Sequence, residues 1–147
     1  MEITRWMTRK VVTVKPLDSI QHARDLMLEH RVNQLPVVEG GRLVGIVTDR
    51  DLRDAFPSVF STARRARRRT DLPDDPDRIT VEMVMTANVL TLGPDATMED
   101  AARLMRKERI GAIPIVEKQK LVGIVTRSDV LDAFVELAPS LSAAKPL

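Results

Sequence analysis

A shift of 78 places lays this chain on itself without a gap, carrying Met7 and Thr8 onto Met85 and Thr86, Pro16 onto Pro94, Pro36 onto Pro114 and Gly45 onto Gly123. The agreement is densest in two phrases, LVGIVTDRDLRDAF at 43–56 and LVGIVTRSDVLDAF at 121–134. Self-similarity at a fixed period marks a repeated structural unit. A copy of about 50 residues buries too little apolar surface to be secure alone, so two copies are expected to need each other. The sequence divides accordingly into a first repeat at 1–56, a charged linker at 57–78 holding Pro57, Pro73 and Pro76, a second repeat at 79–137 and a flexible tail at 138–147.

Both copies share one internal order. VVTV at 11–14 and VLTL at 89–92 are short β-branched or aliphatic runs closed by Pro16 and Pro94, and each predicts a strand. Ser19 and Thr97 then precede apolar positions at helical spacing, Ile20, Ala23, Leu26 and Met27 in one copy and Met98, Ala101, Leu104 and Met105 in the other. Two apolar runs follow around Gly40 and Gly41, residues that tolerate the positive φ angles of a tight hairpin. Lys118 and Gln119 stand at that place in the second copy, which predicts a wider or less regular turn. A second helix closes each copy, giving strand, helix, strand, strand, helix.

Composition narrows the function classes. With no cysteine, thiolate chemistry and disulfides are excluded, and a net charge of +2 does not advertise a nucleic-acid binder. No apolar run approaches the about 20 residues that cross a bilayer, and the opening MEITRWMTRK lacks the form of a secretory leader. A cytoplasmic protein is expected. The sequence offers no GxxxxGK[ST] loop, no GxGxxG, no HExxH and no cysteine or tyrosine nucleophile, so a binding module is expected in place of an enzyme.

The chemistry-bearing residues are Thr48 with Asp51 and Thr126 with Asp129, each a hydroxyl followed three places later by an acid at a helix start. One reading is a capping box, which satisfies orphan backbone N–H groups. The other uses the same geometry for a ligand: the helix start attracts phosphate, and the carboxylate accepts the hydroxyls of a ribose. Both uses draw on the same carboxylate oxygens.

The MT openings, the LPVV and IPIV strand starts and the GIVTxxD helix heads resemble the CBS domain, named from cystathionine β-synthase, and two in tandem resemble a Bateman module of stand-alone type. The resemblance implies an α+β fold of two βαββα CBS repeats packed sheet to sheet with pseudo-twofold symmetry. It further implies clefts for AMP, ADP or ATP, with no required cofactor and no metal. Asp51 and Asp129 match its ribose-binding acid, and Thr48 and Thr126 its ribose- or phosphate-contacting hydroxyl. Arg50 stands where an arginine pairs with phosphate, whereas the second copy has Ser128 there and Arg127 one place earlier. Val32, Asn33, Gln34 and Pro36, and Ile110, Gly111, Ala112 and Pro114, match its adenine side, with plain core or turn packing as the alternative for each. The family pattern crosses these sets, so that IGAIP faces Thr48 and Asp51 while VNQLP faces Thr126 and Asp129. Small Gly111 and Ala112 leave room for a purine, which makes the cleft with Thr48, Arg50 and Asp51 the expected stronger site. A homodimer and an effector protein reached in trans are the implied partners, since no residues remain for a fused enzyme.

Other features carry expectations of their own. The basic block Arg64 to Arg69 precedes an acidic stretch and reads as a solvated linker, with a ligand-free scaffold or nucleic-acid contact as the alternative. His22 and His30, eight apart, do not stack as metal ligands. Met27, Met98 and Met105 sit at core spacing, and Trp6 either anchors a dimer or covers a core edge.

Overall fold

The computed structural model describes residues 1–56 and 71–144. The arginine block at 64–69 lies outside the described residues. In chain order the elements are α1 (Ile3–Trp6), α2 (Ile20–His30), β1 (Gln34–Glu39), β2 (Arg42–Thr48), α3 (Asp49–Ala55), α4 (Val81–Val84), α5 (Met98–Glu108), β3 (Ala112–Glu117), β4 (Lys120–Thr126) and α6 (Arg127–Ala144). Among the described residues no helix is long and apolar enough to cross a membrane.

The chain forms two compact units that do not follow the order of the copies: one holds Val12–Val89, the other Met1–Val11 with Leu90–Leu147. In the first, β1 and β2 pair antiparallel from Gln34↔Thr48 to Glu39↔Arg42, and α2 and α3 bury Ile20, Ala23, Met27, Leu52 and Ala55 in a core with Leu35, Val37 and Val47. Leu72, Ile79, Val81 and Val84 complete that core. The described end of the expected linker therefore contributes an apolar plug, because Leu72 has a core to enter that its polar neighbours lack. In the second unit β3 and β4 pair from Ala112↔Thr126 to Glu117↔Lys120, over a core of Met98, Ala101, Met105, Ile113, Ile115, Val125 and Ala133. Ile3 and Met7, from the start of the chain, are buried in that second core. Trp6 packs against it with Arg5 5.1 Å over its ring, covering a core edge.

What holds each MT opening in its unit is a glycine. Met85 lies on Gly45 of β2, where a Cβ would collide with its sulfur and stand 3.0 Å from the Thr86 carbonyl oxygen. Met7 lies on Gly123 of β4, with the sulfur 2.6 Å from such a Cβ. Beside each contact the backbone closes a bridge: Thr86 and Ile46 exchange N–H···O bonds of 2.9 Å and 2.9 Å, and Thr8 and Ile124 exchange bonds of 2.9 Å and 3.0 Å. A glycine within a strand marks such a close approach.

Two local expectations are corrected. The strands foreseen at 11–14 and 89–92 shrink to single parallel bridges, Val14↔Val37 and Leu92↔Ile115. Val14 donates to the Pro36 carbonyl at 3.1 Å and accepts from the Val38 N–H at 2.9 Å. Extending that ladder toward Val12 needs an N–H on Pro36, and extending it past Val14 needs one on Pro16; proline has none. Pro114 and Pro94 stop the second copy in the same way.

The turn at Lys118 and Gln119 is no wider than its glycine counterpart. Their φ angles are 50° and 69°, those of Gly40 and Gly41 are 60° and 80°, and both hairpins close with a two-residue loop. Slipping the register by one residue would send every core side chain to the opposite face, so the strand pattern imposes the turn. Helix α6 continues to Ala144 and takes Pro139 inside it.

Two outcomes follow. Gly45→Ala and Gly123→Ala each lower unfolding free energy in urea by about 1–3 kcal/mol, the usual penalty of overpacking. The double replacement Lys118→Gly with Gln119→Gly raises the urea midpoint, because each non-glycine residue in the left-handed region costs about 1 kcal/mol; a lowered midpoint would contradict the strain assigned to this turn.

Candidate functional site

Each copy brings its strand start and its second helix head together. In the first, the chain leaves α2 through Arg31, whose φ of 55° ends the helix, and the Val32 N–H returns to the Met27 carbonyl at 3.0 Å. This is the six-to-one bond of a Schellman ending, and it carries Val32 against the core. Asn33 is exposed, and its carbonyl accepts the Asp49 N–H at 2.8 Å, fastening the segment before β1 to the start of α3. Gln34 pairs with Thr48, and Pro36 is buried opposite Ile46.

Thr48 caps α3 in extended conformation, its φ −112° and ψ 164°. Its hydroxyl accepts the Asp51 N–H at 3.2 Å, and Asp51 Oδ2 accepts the Thr48 N–H at 2.9 Å, a complete capping box. Asp51 Oδ1 makes no hydrogen bond among the described residues. Arg50 is exposed and forms no ion pair among them, whereas its neighbour Arg53 meets Asp49 at 3.5 Å.

The second copy repeats the frame with different chemistry. Arg109 ends α5 at φ 56°, and the Ile110 N–H reaches the Met105 carbonyl at 3.2 Å, which places Ile110 against its core. Ala112 pairs with Thr126 and is buried, and Pro114 is buried opposite Ile124. Thr126 gives both its N–H, at 2.8 Å, and its hydroxyl, at 3.2 Å, to Asp129 Oδ2. Asp129 Oδ1 is again left without a hydrogen bond among the described residues. The Arg127 N–H donates to the Gly111 carbonyl at 3.1 Å, and its guanidinium lies on Gly111, where a Cβ would stand 3.3 Å from Cζ. Ser128 points to solvent.

The capping and ligand readings of Asp51 and Asp129 thus divide between the two oxygens of each carboxylate. One oxygen holds the helix start, and the other remains an acceptor in a half-buried setting. Val32 and Ile110 have helix-ending roles that spacing alone did not expose. The residues missed altogether are Arg31 and Arg109, which the 78-place shift superimposes and which line pockets beside Val32 and Asn33 and beside Arg127. Among the described residues no group of three histidine or acidic side chains is placed to hold a metal ion.

Comparison with known proteins follows the same division of the chain. The family model described as "CBS domain" matches twice, over residues 2–58 and 81–136. The CBS domain-containing protein YhcV of Bacillus subtilis is 37% identical over 123 residues, covering 84% of this chain and 78% of that protein. An inosine-5'-monophosphate dehydrogenase of Korarchaeum cryptofilum is 36% identical over 85% of this chain, which spans 22% of the dehydrogenase's length. Among solved structures, CBSX2 in complex with AMP is 28% identical with a TM-score of 0.76, covering 93% of this chain and 98% of that one. The CBS domain pair of protein MJ0100 in complex with 5'-methylthioadenosine and S-adenosyl-L-methionine is 28% identical with a TM-score of 0.74, covering 91% and 99%. With its doubled phrase, its paired hairpins and its twin Thr–Asp helix heads, this chain belongs to the CBS domain family and carries two copies of the domain.

Proposed function

We propose that the chain is a regulatory module that binds an adenosine-containing nucleotide, AMP, ADP or ATP, and passes its bound state to a partner protein in trans. The observation that carries this reading is the half-used carboxylate: Asp51 and Asp129 each spend one oxygen on their own helix and keep Oδ1 open. A carboxylate so placed accepts ribose hydroxyls in charge-assisted bonds without surrendering its cap. Arg50, exposed and without an ion pair among the described residues, supplies a guanidinium for phosphate oxygens. The AMP complex of CBSX2 supports the ligand class.

The two sets of residues are unequal. The first has Arg50 and an Asp51 whose latch is reciprocal; the second has Ser128 and an Asp129 Oδ2 that already receives two donors. A ligand that binds one arrangement of the copies better than another shifts the population by that difference in affinity alone, which is all a partner needs to sense. A second copy of the chain belongs to this reading. Leu131, Phe134 and Val135 form an apolar strip on α6 at 63%, 59% and 69% exposure, and Leu28 on α2 is 59% exposed.

A nucleotide present at 100 times its dissociation constant raises unfolding free energy by about 2.7 kcal/mol. A melting screen against AMP, ADP, ATP, NAD and S-adenosylmethionine therefore shows at least one clear upward shift, and silence across the panel rejects the reading. In calorimetry Asp51→Asn, which keeps the side-chain shape, weakens nucleotide binding by about 1.5–3 kcal/mol; unchanged affinity removes its assigned role. Phe134→Glu is expected to halve the sedimenting mass if a second copy covers α6, and an unaltered mass places the dimer contact elsewhere.

A further inference from the structure

Arg106, Arg109 and Arg127 line one basin of about 430 Å³ between α5 and the start of α6, above an apolar floor of Met105 and Val130 with the exposed Leu131 beside it. None of the three side chains makes an ion pair or hydrogen bond among the described residues, whereas Arg5, Arg53 and Arg103 each meet a carboxylate. Three like charges around one basin repel one another, and a shared counter-ion relieves all three at once. Arg127 is also held in place, by its N–H on the Gly111 carbonyl and by its guanidinium lying on Gly111.

The repeat supplies an internal control. The equivalent basin in the other unit, about 310 Å³, keeps Met27 in its lining but has Leu28 where Arg106 stands and Asp49 where Arg127 stands. Asp49 there pairs with Arg53 at 3.5 Å, and Arg31 faces the same basin as that acid. The two basins therefore share a scaffold and differ in charge: one gathers three cations and no acid, the other mixes signs.

The geometry points to a binding site for a compact, multiply charged phosphoryl anion, a pyrophosphate or triphosphate group, in the basin of Arg106, Arg109 and Arg127. Guanidinium groups pair with phosphoryl oxygens through two parallel N–H bonds, and three of them around a basin with an apolar floor suit a chain of linked phosphates better than a single carboxylate. This inference does not rest on the nucleotide reading, which uses none of these three residues.

The test is calorimetric titration of the full chain with inorganic tripolyphosphate, alone and in the presence of AMP, at low and at moderate salt. Tripolyphosphate is expected to bind with an affinity that falls as salt rises, AMP is expected not to displace it, and Arg106→Gln, Arg109→Gln and Arg127→Gln are each expected to weaken it about tenfold or more. Arg31→Gln, the counterpart of Arg109→Gln, is expected to leave it unchanged. Displacement by AMP, or a loss of tripolyphosphate binding in Arg50→Gln, assigns the phosphates to the nucleotide site and overturns the separate basin. So does a loss from Arg31→Gln equal to that from Arg109→Gln, or a loss seen only when Arg64, Arg65, Arg67, Arg68 and Arg69 are neutralised. Absence of tripolyphosphate binding at low salt by the folded chain ends the proposal outright. Asp51→Asn separates the two readings, since it is expected to weaken AMP and to spare tripolyphosphate.

Discussion

A sulfur atom resting on a bare backbone is the contact on which the rest of this structure depends. Met85 and Met7 occupy space that any side chain at Gly45 or Gly123 would claim, and each brings with it a threonine that closes a backbone bridge to the same strand. Methionine suits the task because its unbranched thioether adapts to an irregular surface. The opening of each copy is thereby committed to the unit built around the other copy's hairpin. Residues that look like the start of a domain in sequence act as the closing piece of another in space.

The same economy governs the helix heads. Orphan N–H groups at the start of α3 and α6 must be satisfied, and a short acid three places on does so with a single oxygen. The second oxygen is then held at a fixed angle beside a helix terminus without any further side chain to position it. The structural and the recognitive uses of Asp51 and Asp129 are therefore compatible. The Schellman endings at Arg31 and Arg109 do similar work upstream, fixing the path of the chain into β1 and β3 so that Asn33 and Gly111 can receive the first N–H of the following helix.

Much of this was legible in the residues. The 78-place period, the caps Ser19 and Thr97, the buried stripe of Ile20, Ala23 and Met27, and the Gly40–Gly41 hairpin are local signals whose physics does not depend on distant contacts. The failures have equally particular causes. VVTV and VLTL carry strand composition, but a strand needs a partner with free N–H groups, and Pro36 and Pro114 deny it. Lys118 and Gln119 adopt glycine's angles because strand register outweighs their local preference. Ile3, Ile79 and Val81 lie outside the periodic stripes, and their burial depends on contacts with distant segments that local spacing does not carry. For the helix heads, spacing identified Thr48, Asp51, Thr126 and Asp129, but only coordinates divide each carboxylate into a spent oxygen and an open one.

The exchange of openings also orders events in time. Ile3 leaves the ribosome long before Ile113, Val125 and Ala133, which wall the cavity it fills. Contacts of such long sequence separation slow folding, because the intervening chain must be gathered before any reward is collected. During synthesis the first unit can complete itself once Val84 and Met85 emerge, while the segment bearing Ile3, Trp6 and Met7 waits uncovered through the whole of that interval. A nascent chain stalled just past Val89 would therefore display one finished body and an apolar opening segment still in search of its seat.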